Sequence, residues 1–192
     1  MDSMNVFLAE IRDTLLPRRD SKDGPLPPML VALTVVTGLV DSFSYLVLGH
    51  VFVANMTGNI VFLAFALAGA GGFSIASSLI ALGAFIIGTL STGLIGVRVG
   101  PNRGHLLAVA ATIQAIFLGV STILSVLSRD PVTNGYEYDL IIALAISMGI
   151  QNATARKLGV PDLTTTVLTL TITGIGADSR LVGGPDLGWV VV

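Results

Sequence analysis

The chain has 192 residues, 53% of them hydrophobic and 11% charged, with a mean hydropathy of +0.86; a soluble domain carries about 25% charged residues, so this is the composition of a polytopic membrane protein. A formal net charge of −2, with no long basic tract beyond the first two dozen residues, excludes an electrostatic footprint for nucleic acid. The absence of cysteine excludes disulfides, iron–sulfur clusters and cysteine-bound zinc, and His50 and His105 lie too far apart for a metal-ligand spacing.

Residues 1–28 form the only substantially polar segment. Phe7, Leu8, Ile11 and Leu15 recur at helical spacing between Glu10, Arg12 and Asp13, the pattern of a short amphipathic helix on a membrane surface, with a frayed tail as the plainer alternative. Its charges follow its apolar residues, and Pro17, Pro25, Pro27 and Pro28 interrupt it, so it does not read as a cleavable signal. Arg12, Arg18, Arg19 and Lys22 place it on the cytoplasmic side.

About 20 apolar residues suffice to cross a bilayer, and six hydrophobic segments follow at 29–48, 51–68, 73–97, 106–127, 139–155 and 160–176. The fold class expected is therefore an all-α transmembrane bundle forming one membrane domain over 29–177, with a short tail at 178–192. The first segment carries a charge, Asp41, well inside it. The second opens with a polar knot, Asn55, Thr57, Gly58 and Asn59, flanked by strong hydrophobes. The third aligns Gly83, Gly88, Thr92 and Gly96 as a small-residue face for helix contact. The fourth holds Gln114 near its middle, and the fifth holds Gln151 and Asn152 and ends at Arg156 and Lys157. The sixth is rich in threonine: Thr164, Thr165, Thr166, Thr169, Thr171 and Thr173.

In hydrocarbon every backbone and amide group needs a partner, so a polar knot at that depth belongs where it is buried in protein or lines a wet cavity. The two polar regions also resemble each other. Gly38-Leu39-Val40-Asp41 followed by Thr57-Gly58 parallels Gly149-Ile150-Gln151-Asn152 followed by Thr173-Gly174. Broken segments at matching places in two halves are a sequence pointer to a transporter site, often in an inverted repeat. Charge placement bears on the topology. If every segment spans, a cytoplasmic N-terminus puts Arg98, Arg103, Arg156 and Lys157 outside; if 51–68 dips in and returns, they come to the cytoplasmic side. Both arrangements stay open at this point, as does re-entry of 160–176.

GLVDSFSYLVLGHVFVANMTGN (38–59) and MGIQNATARKLGVPDLTTTVLTLTITG (148–174) resemble the YoaK-type family of bacterial membrane proteins. The resemblance runs over residues 29–184 and rests on D-x-x-S-Y ahead of N-M-T-G-N and on G-x-Q-N-A ahead of the threonine run. It implies a multi-pass protein of the bacterial inner membrane with no established activity. Members of that family continue through further hydrophobic helix, whereas this sequence ends at GWVVV, the expectation being a C-terminal truncation.

The expected function is transport of a small polar solute through a midplane site. Its candidate residues are Asp41, Asn55, Thr57, Gly58, Asn59, Gln151, Asn152, Thr165, Thr166, Thr173 and Gly174. An ionisable residue inside a membrane is expensive and is by default a functional candidate, so Asp41 is also the proton-coupling candidate. The plainer alternative has Asp41 accepting from Thr37, Ser42 or Ser44 and tying helices together. Amides, a hydroxyl and freed backbone around Gly58 suit a solute, or alternatively a helix-packing motif. Gln114 reads as a helix–helix hydrogen bond, Arg156 and Lys157 as interfacial anchors. No phosphate-binding G-x-x-x-x-G-K, H-E-x-x-H or G-x-S-x-G occurs, so no enzyme, cofactor or metal is expected. The partners expected are the lipid bilayer and the solute, with a homo-oligomer left open. The competing function is a non-transporting membrane scaffold or accessory subunit.

Overall fold

The computed structural model describes residues 25–100, 102–128 and 135–159. Among them every regular element is helical: α1 Leu26–Val47, α2 Met56–Leu67, α3 Ile75–Val99, α4 Arg103–Ser128 and α5 Glu137–Leu158. Helices α1, α3 and α4 are long and apolar enough to cross a membrane. The tail helix expected before residue 25 and the threonine-rich segment at 160–176 lie outside the described residues.

Pro27 and Pro28 do not interrupt α1; they sit in its first turn, where a missing N–H costs nothing. At its other end α1 closes with Leu48 N–H on the Ser44 carbonyl and His50 N–H on the Tyr45 carbonyl, 2.9 and 3.1 Å. Gly49 and His50 both take left-handed φ values, 79° and 59°, and turn the chain sharply there.

Contacts along the helices fix their directions. Thr92 Oγ1 on α3 donates to the Ile150 carbonyl of α5 at 3.3 Å, and Gly96 lies against Lys157, so α3 and α5 run the same way. Arg103 donates to the Leu158 carbonyl and Gln114 to Gln151, so α4 runs opposite to α5. Gln151 meets Leu33 and Thr37 while Gly49 lies beside Glu137, so α1 also runs opposite to α5.

The second hydrophobic segment is helical only from Met56, and α2 has 12 residues. At about 1.5 Å per residue that is roughly 18 Å, short of the roughly 30 Å of a bilayer core. Residues 48–55 before it are irregular, yet Leu48, Val51, Val53 and Ala54 are buried among Phe85, Leu140, Ile141 and Met148. Ring contacts then lead α2 back toward the end of α1: Tyr45 to Phe62 at 5.8 Å, Phe62 to Phe73 at 5.1 Å and His50 to Phe73 at 6.2 Å. The chain thus enters the bundle, turns inside it and leaves at the end from which it came. Arg98, Arg103, Arg156 and Lys157 consequently gather at one end, and Glu137 and Asp139 lie at the other.

The tightest contact joins α3 to α5. A Cβ at Gly88 would lie 2.2 Å from the Ile146 carbonyl oxygen, and one at Gly149 would lie 2.3 Å from that of Phe85. A Cβ at Gly38 or Gly83, by contrast, meets nothing within 4 Å. Gly88→Ala and Gly149→Ala are each expected to lower stability by about 1–3 kcal/mol through overpacking against backbone. Gly83→Ala is expected to cause no loss. Denaturant-induced unfolding in detergent micelles checks the contrast between the three variants.

Candidate functional site

The irregular segment at 48–55 presents consecutive backbone N–H groups inside the bundle, where each needs an acceptor. For residues 53–55 Asp41 supplies it from α1. Its Oδ1 accepts from Val53 N–H at 2.9 Å and Ala54 N–H at 2.8 Å, and its Oδ2 accepts from Asn55 N–H at 3.0 Å. Asn59, fully buried, supplies it for Phe52: its Oδ1 accepts from Phe52 N–H at 2.9 Å and its Nδ2 donates to the Phe52 carbonyl at 2.5 Å. Four N–H groups in a row are thereby satisfied by two side chains. A carboxylate suits the place because it offers only acceptors, two oxygens with room for several donors.

The hydroxyls that sequence offered as partners of Asp41 are occupied locally. Thr37 Oγ1 donates to Leu33, Ser42 Oγ to Gly38 and Ser44 Oγ to the backbone carbonyl of Asp41, at 2.9, 2.7 and 3.1 Å. Gly58 is required for a steric reason: a Cβ there would lie 2.4 Å from the Phe52 ring. That ring stacks on Tyr45 at 5.4 Å and contacts Phe62 at 5.2 Å, closing the knot with aromatic surface. Asn55 Oδ1 is buried and has no hydrogen-bond partner, and Thr57 is half-buried in the first turn of α2.

Gln151 lies one turn of α1 away. Its Nε2 donates to Thr37 Oγ1 at 2.6 Å and to the Leu33 carbonyl at 3.2 Å, and its Oε1 accepts from Gln114 on α4. Leu33, Thr37 and Asp41 follow at four-residue spacing and so share one face of α1. The structure therefore brings Asp41, Asn55, Thr57, Gly58 and Asn59 into one place and sets Gln151 on the next turn. Asn152 does not join them; its Nδ2 donates back to the Met148 carbonyl of its own helix at 2.9 Å. Thr165, Thr166, Thr173 and Gly174 lie outside the described residues.

Sequence reasoning did not single out Ser147 and Thr154, which flank Gln151 on α5 at helical spacing. Both hydroxyls are buried and without a hydrogen-bond partner. Their spacing from Gln151, four residues before and three after, is the signal that marks the shared face. A cavity of about 280 Å³ separates α1 from α4, walled by Leu39, Val40, Phe43, Leu118, Ser121 and Leu144 among others, and Asp41 does not line it. Ser121 Oγ is likewise buried and unpartnered. Among the described residues no group of three His, Asp or Glu side chains is placed to hold a metal ion.

Residues 29–189 match the family described as "Protein of unknown function (DUF1275)". The chain belongs to this family. It is also 38% identical over 152 residues to the "UPF0700 transmembrane protein YoaK" of Bacillus subtilis (strain 168), a match covering 78% of this chain and 65% of that relative. No solved structure matches the chain at a significant level. In the DUF1275 chain described here, then, D-x-x-S-Y and N-M-T-G-N are two halves of one hydrogen-bonded unit: the aspartate of the first and the last asparagine of the second hold the same stretch of backbone.

That unit predicts a ranking of stabilities. Asp41→Asn replaces one acceptor oxygen by a donor and strands at least one buried N–H, at a cost of about 1–3 kcal/mol. Asn59→Leu strands both the N–H and the carbonyl of Phe52 and is expected to cost more. Gln151→Leu removes interhelical bonds worth about 0.6–2 kcal/mol. Thermal unfolding of the purified variants in micelles reads the order; an Asp41→Asn protein as stable as the parent contradicts it.

Proposed function

We propose that this membrane protein is a small-solute transporter or permease-like protein of the bacterial inner membrane, with a polar site at mid-depth where α2 begins. The observation that carries the reading is a half-length helix starting inside the bundle, behind irregular backbone held by Asp41 and Asn59. Discontinuous segments of this kind are where transporters bind their cargo. The groups offered there are Asn55 Oδ1, buried and unpartnered, the Thr57 hydroxyl and, a turn below, the Gln151 cluster. They suit a small polar solute with N–H or O–H donors. By the same reading residues 160–176 contribute the second half of an inverted repeat, with Thr165, Thr166, Thr173 and Gly174 as its contacts.

Asp41 serves in this proposal as the proton-coupling group. Its two oxygens are not equivalent: Oδ1 holds two N–H groups and Oδ2 holds one, that of Asn55. A proton on Oδ2 displaces the Asn55 bond and leaves the other two, freeing the start of α2 without dissolving the knot. The end bearing Arg98, Arg103, Arg156 and Lys157 is cytoplasmic by the positive-inside rule, with the N-terminus on the same side, and residues 51–67 are re-entrant. The scaffold reading draws on a different observation: both oxygens of Asp41 and both ends of the Asn59 amide are committed to backbone.

The chain has no native cysteine, so single cysteines report on water and on sidedness. Asn55→Cys and Thr57→Cys are expected to react with a membrane-impermeant thiol reagent, whereas silence at both in a folded protein favours the scaffold. His50→Cys and Gly71→Cys, both at exposed positions, are expected to label from one side and Asn102→Cys from the other. Labelling of His50→Cys and Gly71→Cys from opposite sides rules out re-entry. Once a solute is found, solute-dependent proton uptake that disappears in Asp41→Asn supports the coupling role.

A further inference from the structure

The cavity of about 280 Å³ between α1 and α4 lies apart from the knot, in the half of the bundle away from the basic end. Leu39, Val40 and Phe43 come from the second half of α1, Leu118 and Ser121 from the second half of α4, and Leu144 from the first half of α5. Among the described residues no charged side chain lines it. Leu39 and Val126 at its rim are 66% and 71% exposed, so it opens on the lipid-facing flank of the bundle.

Ser121 is the exception in this apolar wall. Hydroxyls in a helix commonly bond back to the carbonyl one turn earlier. On α4, Thr112 Oγ1 does so to Ala108 and Thr122 Oγ1 to Leu118, both at 2.8 Å. Ser121 does not. The residue is 4% exposed, and its Oγ is buried with no hydrogen-bond partner. A buried hydroxyl in that condition destabilises the fold, and an alanine of nearly the same size would pack there without the cost.

We infer that this cavity binds an uncharged, membrane-soluble ring compound bearing a carbonyl oxygen, with Ser121 donating to that oxygen. Size, charge and polarity each narrow the class. An apolar cavity of about 150 Å³ holds one benzene, so about 280 Å³ has room for a pair of fused rings. The walls offer no opposite charge, and a charged occupant would be buried unpaired. The free proton of Ser121 calls for an acceptor, since an orphaned donor is the rarer kind in folded proteins. A quinone or aryl ketone supplies that acceptor and brings no donor of its own to strand, while Phe43 adds aromatic surface in the α1 wall. A lipid acyl chain matches the apolar walls but leaves Ser121 unpartnered, and it is the rival occupant. Whatever sits there stands between α4 and the helix that carries Asp41, and so restrains α1.

The full chain in detergent micelles is equilibrated by dialysis with naphthoquinone or with naphthalene, the same rings without oxygens, and uptake is compared with protein-free micelles. The chain has no cysteine for a quinone to modify. The expected result is saturable binding of a single naphthoquinone per chain, tighter than that of naphthalene. Ser121→Ala is expected to weaken naphthoquinone binding about fivefold, the worth of one hydrogen bond, and to leave naphthalene binding unchanged. Removal of an unpartnered hydroxyl leaves the fold intact. Val40→Trp, which fills the cavity, is expected to abolish saturable binding of both probes. Equal affinity for the two, or no loss in Ser121→Ala, overturns the carbonyl assignment in favour of an acyl chain. Absence of saturable binding, or binding that persists in Val40→Trp, overturns the cavity as the site.

Discussion

Three backbone N–H groups converge on the carboxylate of Asp41, and the path of the chain through the bundle depends on that convergence. A segment that leaves helical geometry inside an apolar core strands its polar groups at about 1–3 kcal/mol apiece unless acceptors are built in. Asp41 and Asn59 are those acceptors. Asp41 lies six residues before the end of α1, roughly 9 Å along the axis. Pinning residues 53–55 to it forces the chain back to that depth before α2 can start. A helix begun there needs about six residues to cover that 9 Å, so the 12 residues of α2 are ample to bring the chain back to the end where α1 finished. From the half-length helix follows the rest of the topology: α3 starts at the end where α1 finished, and the later basic residues collect opposite it.

The interfaces divide into two kinds. Between α3 and α5 the backbones touch through Gly88 and Gly149, and Thr92 bonds across to Ile150, so the pair forms a rigid spine. Helix α5 can carry Ser147, Gln151 and Thr154 because protein surrounds that face. The attachment of α1 is different. It is held by Gln151 near its middle, by the Asp41 bonds above, and by Leu26 and Leu30 packing on Leu107 and Leu158 below. Between these points lies the cavity lined by Leu39, Val40 and Phe43. An element fixed at a few polar and apolar points beside empty space can shift with less repacking than one fixed along its length.

Periodicity and composition made the helices legible, along with the abnormality of 51–60, since two amides and a glycine among strong hydrophobes demand an explanation at membrane depth. The partner of Asp41 was not legible. Thr37, Ser42 and Ser44 are closer in sequence, but each hydroxyl bonds back to a carbonyl of its own helix, a habit of serine and threonine in helices. The acceptor need of residues 52–55 arises only from the break, and a break has no sequence signature beyond the residues that repair it. Gly58 illustrates the same limit: its role is to admit the Phe52 ring, six residues before it and brought near only by the turn. The adjacent amides Gln151 and Asn152 looked alike in sequence, and the 100° between successive helix positions separated them, one facing α1 and α4 and the other bonding to its own helix.

Whether the knot transports or only holds comes down to the spare capacity of its groups. Asn59 has none, because its amide is matched at both ends to the peptide groups of Phe52. Asp41 differs, since its Oδ2 serves a single donor that belongs to the last residue before α2. Losing that bond exposes the Asn55 N–H beside the Asn55 Oδ1 that already lacks a partner, which puts one donor and one acceptor together at the start of a helix. A purely structural latch would gain nothing from leaving a buried acceptor unfilled, whereas a binding site needs one, and Asn55 is therefore the residue at which the two readings part.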